Sequence, residues 1–138
     1  MIYRALLSLA LLGASTLAFS QTPSESAEQF LREVATKDSD AAFDRLFEGS
    51  GFAELKPQAL VTLKSQTKMA MGLYGTPIGL ERVLEEDLSP SIKRLVYIQK
   101  FEQYPVAWEF YFYKAKDTWV INTLAFKDQI APLVGAMK

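Results

Sequence analysis

The sequence predicts an α+β domain in which N-terminal helices pack on a curved antiparallel sheet of at least three strands. Three observations carry that prediction. Between Gln21 and Tyr74 apolar residues recur three and four positions apart, the spacing of a helix face. From Ile92 onward the period changes to two, and β-branched and aromatic residues dominate. The stretch Val106 to Phe126, VAWEFYFYKAKDTWVINTLAF, sets two aromatic runs on either side of one short polar turn, which reads as a hairpin.

The chain opens with Arg4, the apolar run Ala5 to Leu12, a region of small residues, and Ala18-Phe19-Ser20 just before Gln21. That is the layout of a secretory signal peptide covering residues 1–20, with removal after Ser20. The apolar run is shorter than the roughly 20 residues that span a bilayer, and no cysteine follows it to carry a lipid. The expected product is a single soluble domain, residues 21–138, exported to a periplasmic or extracellular space and free of the membrane.

Within that domain, Thr22-Pro23-Ser24-Glu25 reads as a capping box with Pro in the first helical position. Ala27, Phe30, Leu31 and Val34 then line the apolar face of a first helix running to about Thr36. A second short helix places Ala42, Phe43, Leu46 and Phe47 on one side and stops at Gly49-Ser50-Gly51. Pro57 opens a third, with Leu60, Leu63, Thr67, Ala70 and Tyr74 as its stripe; Gly72 weakens its end, and Gly75 with Pro77 terminates it. Leu80 to Leu88 fits a short helix and an irregular edge strand equally well. Three strands follow, Lys93 to Gln103, Val106 to Lys114 and Trp119 to Phe126. Asp128 can cap a short closing helix with Ile130, Leu133, Val134 and Met137 apolar.

Composition narrows the chemistry. The chain has 15 basic and 16 acidic residues, no histidine and no cysteine. Near-neutral charge without a basic cluster gives no footing for nucleic acid. Lacking His and Cys, the chain has none of the usual ligands for zinc, copper, haem or iron-sulfur groups, and no cofactor or metal is expected. Stability must come from packing rather than disulfides, and any catalysis from carboxylates, Tyr, Lys or Ser. The acidic run Glu85-Glu86-Asp87 points its side chains in different directions on either a helix or a strand, and reads as a solvated face.

With Tyr104-Pro105 as the tip of the first hairpin, Phe101 opposes Trp108, Gln99 opposes Phe110 and Tyr97 opposes Phe112. One face then carries Leu95, Tyr97, Gln99, Phe101, Trp108, Phe110 and Phe112, and a three-residue second turn adds Val120, Asn122, Leu124 and Phe126. That face is too apolar for water and belongs under the helices. Gln99 and Asn122 are its polar exceptions. Two strands apart, roughly 9 to 10 Å, their amides can orient a small apolar ligand. Tyr97, Gln99, Trp108, Phe110 and Asn122 are therefore the candidate ligand-binding residues, against the plainer reading that the amides satisfy nearby backbone.

The other face carries Val96, Ile98, Lys100, Glu109, Tyr111, Tyr113, Trp119 and Ile121, with Lys100 and Glu109 as a cross-strand ion pair. Large aromatics on a face with no helices left to cover it mark an interface. Tyr111, Tyr113, Trp119 and Ile121 are its candidate residues, for a homodimer or another protein partner.

The order of helices, then a sheet ending in YFYKAKDTWVINTLAF with Trp119 after the polar turn and Phe126-Lys127-Asp128 at its close, resembles small exported members of the nuclear transport factor 2-like superfamily. The resemblance covers most of the domain and implies a cone whose sheet wraps a helix and leaves a cavity at its wide end, often in a dimer. Members include ketosteroid isomerases, dehydratases and polyketide cyclases, and also noncatalytic domains, so the fold alone does not assign an activity. Here no His can complete a His-Asp pair, and no Asp lies within the three main strands. The expectation is a noncatalytic binding or interaction domain with no catalytic residues. The alternative is a metal-free enzyme of isomerase or cyclase type using Glu109, Tyr97 or another carboxylate.

Overall fold

The computed structural model describes residues 20–36 and 38–130; all but the last residue of the expected signal peptide and most of the expected closing helix lie outside them. Among the described residues four helices precede four strands: α1 Pro23–Val34, α2 Ser39–Phe47, α3 Phe52–Leu55, α4 Pro57–Met71, β1 Pro77–Ser89, β2 Ile92–Phe101, β3 Pro105–Lys114 and β4 Trp119–Lys127. The strands form one antiparallel meander in the order β1-β2-β3-β4.

Local chemistry sets the helix boundaries. At α1, the Thr22 side chain accepts from the Glu25 N–H and the Glu25 carboxylate accepts from the Thr22 N–H, completing the expected capping box. The Thr22 hydrogen bonds, backbone first, hold the Glu25 carboxyl below its ordinary value. At α2, Asp38 caps by accepting from the Asp40 and Ala41 N–H groups. The short α3 was not anticipated from sequence. Gly49 and Gly51 adopt positive φ of 73° and 71°, a region open to glycine, and the turn they make returns Phe52 to within 4.7 Å of the Phe47 ring. The third expected helix is α4, opened by Pro57. Its stripe points inward: Leu60 and Thr67 are buried, and Leu63, Ala70 and Tyr74 half-buried.

Leu80 to Leu88, open between helix and strand on sequence grounds, belongs to strand β1, because β2 supplies a pairing partner along it. Three register shifts break that pairing. Glu81, Glu85, Glu86 and Asp87 cluster on this outermost strand, where charge discourages further edge-to-edge pairing.

The core lies between the helices and one face of the sheet. Phe30 of α1 sits at its centre, with ring centroids 5.0 Å from Phe43, 5.4 Å from Trp108 and 6.0 Å from Phe110, all edge-on. Leu95, Tyr97, Gln99, Phe101, Trp108, Phe110 and Phe112 are all buried, so the inward face of the first hairpin is the one its alternation predicts.

Its pairing is different. Tyr97 opposes Trp108, Leu95 opposes Phe110 and Lys93 opposes Phe112. The connection is Glu102-Gln103-Tyr104, and Pro105 begins β3, the position in a strand where a missing N–H does least harm. The slip from the expected register is four residues; being even, it moves partners without exchanging faces.

The second hairpin departs further. Lys114 pairs Trp119 and Phe112 pairs Ile121, and then a register shift intervenes, after which Tyr111 pairs Thr123 and Phe110 pairs Leu124. Asn122 is the unpaired residue of this bulge. Past it, Leu124 and Phe126 point inward as expected. Before it, Trp119 and Ile121 take the inward positions assigned from sequence to Val120 and Asn122.

Candidate functional site

Of the five candidate ligand-binding residues, the structure brings Tyr97, Gln99, Trp108 and Phe110 together and leaves Asn122 out. Asn122 is exposed on the bulge, where its Oδ1 accepts from the Thr123 hydroxyl at 2.9 Å. The other four are each no more than 2% exposed. Gln99 spends its amide inside the core: Nε2 donates to the Leu31 carbonyl oxygen at 2.8 Å, and Oε1 accepts from Trp108 Nε1 at 3.0 Å. Leu31 lies in the last turn of α1, whose carbonyls have no partner within the helix. Gln99 thus satisfies a helix end and the indole in one move. Nearby, the Tyr97 hydroxyl donates to Glu28 at 3.1 Å, a second tie between α1 and β2. Burial, reinforced by the Glu28 carboxylate, pushes the Tyr97 hydroxyl pKa above its ordinary value.

The outer face also differs from expectation. Ile121 is 2% exposed and belongs to the core, and Trp119 packs half-buried against that core with the Lys114 ammonium 5.0 Å over its ring. Both are corrections produced by the bulge. Tyr111 and Tyr113 do face outward, Tyr113 exposed and Tyr111 half-buried. Val96 and Ala107 are buried on this side under Leu84, Ile98 and Ile130.

Lys100 and Glu109 do not pair. The four-residue slip sets Val96 opposite Glu109, and Lys100 instead reaches Glu81 on β1 at 3.0 Å. Glu109 Oε1 accepts from Arg94 Nε at 2.8 Å and from the Tyr111 hydroxyl at 2.7 Å. Arg94 adds a longer contact to Glu86 at 3.7 Å. Burial alone pushes the Glu109 carboxyl up, but the Tyr111 and Arg94 hydrogen bonds and the Arg94 charge outweigh it and hold the pKa below the ordinary 4.5. The same bond raises the Tyr111 hydroxyl, because the phenol donates to a carboxylate.

Two surface clefts lie elsewhere. One, of about 740 Å³, is bordered by the start of α1, by Glu85, Asp87 and Lys93, and by Trp119. Lys93 bridges the two acids there, at 3.4 Å from Glu85 and 2.9 Å from Asp87. The hydrogen bond to Asp87 outweighs burial and raises the Lys93 pKa. The acidic run is thus split: Glu85 and Asp87 reach Lys93, while Glu86 reaches Arg94.

The second cleft, of about 610 Å³, is the more apolar. It runs between the end of α4 and the end of β4, lined by Met69, Ala70, Leu73, Tyr74 and Phe126 together with Gln66, Lys127, Asp128 and Gln129. The Tyr74 hydroxyl closes one side by donating to Asp128 at 3.0 Å. Asp128, expected as a helix cap, here anchors the α4 end to β4. Sequence reasoning gave this cleft no weight, because Met69 and Leu73 lie off the apolar stripe of α4. Their exposure was the available signal: two large apolar residues placed where the helix faces water.

Searches of protein-family models, of curated proteins and of solved structures return no match to this chain.

Proposed function

We propose that this chain is a noncatalytic interaction domain, exported and freed of residues 1–20, that acts through its surface rather than through an enclosed pocket. The observation that carries the reading is the state of its polar interior. Gln99, Trp108 and Tyr97 spend their hydrogen bonds on one another, on Leu31 and on Glu28, and Glu109, the half-buried carboxylate of the outer face, is held ionised by Arg94 and Tyr111. An acid–base enzyme of comparable fold keeps a carboxyl group poised upward toward neutral pH. Glu109 is driven the opposite way.

Export fits the layout of the first helix. Its capping box begins at Thr22, so removal of the leader takes away none of the bonds that start α1. Resemblance to the nuclear transport factor 2-like superfamily is part of this proposal. The bulges of β1 and β4 support the cone-like curvature it calls for, since bulges bend and twist the strands that carry them. A closing helix after Asp128 completes the proposed architecture. On the outer face, exposed Tyr113 beside Tyr111 supports contact with a protein partner, because aromatic rings bury large area at small entropic loss.

Titration of the Glu109 carboxyl carbon by NMR tests the noncatalytic reading. A pKa below the usual carboxylate range supports it; a value raised toward neutrality returns Glu109 to acid–base chemistry.

A further inference from the structure

Gln21 stands exposed just outside helix α1, whose N-cap is Thr22 and whose first helical residue is Pro23. Its side-chain amide folds back over the start of the helix without being packed there. Nε2 donates to Gln29 Oε1 at 2.7 Å and Oε1 accepts from the Ser26 hydroxyl at 3.4 Å, both at the surface. Removal of residues 1–20 would make Gln21 the first residue of the chain, with a free α-amine on the same residue as that amide.

We propose that Gln21 of the exported chain is a site of covalent modification and cyclises to pyroglutamate. The inference rests on the export reading, which sets cleavage between Ser20 and Gln21, and adds what becomes of the end so made. The α-nitrogen attacks Cδ of its own side chain. A new bond forms between that nitrogen and Cδ, the bond from Cδ to Nε2 breaks, and Nε2 leaves as ammonia with a proton taken from the amine. Nothing is oxidised or reduced, and no co-reactant is consumed.

The helix behind Gln21 favours the product. An uncyclised α-amine titrates near about pH 8 and so carries a positive charge through most of the neutral range. That charge would stand one residue before the N-cap of α1, at the positive end of the helix dipole, where a cation is disfavoured. The same repulsion favours the neutral amine, the form whose lone pair attacks, and the lactam that results carries no charge at all. Cyclisation also leaves the helix start whole. The capping box runs between Thr22 and Glu25 and takes nothing from Gln21. Oε1 survives as the lactam oxygen, still open to Ser26, and Gln29 keeps its own bond to Glu33 at 3.1 Å when Nε2 departs. A lactam offers no ammonium to an aminopeptidase. Trimming by two residues would remove Thr22 and with it the cap of α1, so closing the end at Gln21 protects the helix in an exported setting.

The full chain, leader included, is produced in a secreting bacterial host, and the exported protein is held at neutral pH for several days before its intact mass is measured. The mass should equal that of residues 21–138 less one ammonia, and stepwise amino-terminal sequencing should yield no residue. Gln21→Ala, a change at an exposed position outside the helix, should show no loss of ammonia and should sequence freely from its first residue. Three results overturn the proposal. An intact mass of residues 21–138 without the loss of ammonia contradicts cyclisation and leaves the cleavage site standing. A chain that begins at any other residue contradicts the cleavage site itself, and the export reading with it. An equal loss of ammonia from Gln21→Ala moves the reaction to an internal amide. None of these touches the Glu109 titration, on which the noncatalytic reading stands.

Discussion

Gln99 ends helix α1 from across the core: its Nε2 donates to the Leu31 carbonyl oxygen at 2.8 Å while its Oε1 receives the Trp108 indole N–H. A buried amide with both ends occupied is a structural device, and it rigidly joins α1, β2 and β3. Gln99→Leu keeps the volume and strands two buried groups, the Leu31 carbonyl and the Trp108 indole. Each orphan costs about 1 to 3 kcal/mol, so a loss of about 3 kcal/mol is expected in urea unfolding. Gln99→Glu should be worst at neutral pH and recover in acid, where the protonated carboxyl can donate to Leu31.

Glu109 makes the outer face pH-dependent. Its folded pKa is depressed below the ordinary 4.5, so its contribution is fully present above that value and is lost as pH falls through the folded pKa. Unfolding free energy measured between about pH 6 and pH 3 should fall on the acid side. Glu109→Gln should flatten part of that slope and lower stability at pH 7 by about 1 kcal/mol, the scale of a half-buried charge-assisted pair.

The bulge in β4 gives two neighbouring residues opposite fates. Ile121→Ala removes buried side chain from the core and should cost about 2 to 4 kcal/mol. Asn122→Ala, one residue on and exposed, should change stability by less than about 0.5 kcal/mol. Guanidinium unfolding midpoints of the two variants check both.

Thr67 offers a stabilising change. Its Oγ1 is enclosed without a hydrogen-bond partner among the described residues. Thr67→Val replaces the hydroxyl with a methyl group of similar shape and should raise the unfolding free energy by about 1 kcal/mol. A loss of stability would indicate that the hydroxyl has a partner after all.

How far the sequence foretells this molecule depends on whether a feature is local. The capping box at Thr22, the Pro57 helix start and the inward set from Leu95 to Phe112 follow from short-range chemistry and from alternation, and they appear as read. Register does not follow from alternation. The Glu102–Tyr104 connection displaces β3 by four residues, which alternation tolerates, and that displacement replaces the Lys100–Glu109 pair with Arg94–Glu109. A bulge is harder still, since one extra residue at Asn122 reverses inside and outside for Trp119 and Ile121 without leaving a mark in their own identities. Gln99 was legible as an exception on an apolar face; that its partner is the end of α1 could be known only once helix and strand were brought together.

The central claim is that Tyr97, Gln99, Trp108 and Phe110 form a closed interior. Hydrogen exchange of the indole N–H groups tests it most directly, because the chain has two tryptophans, one on each side of the question. Trp108 Nε1–H should exchange only on the timescale of global unfolding, with Trp119 exchanging far faster. Rapid exchange at Trp108, or a shift of its resonance on adding a small apolar ligand, would contradict the account and reopen the core as a binding cavity.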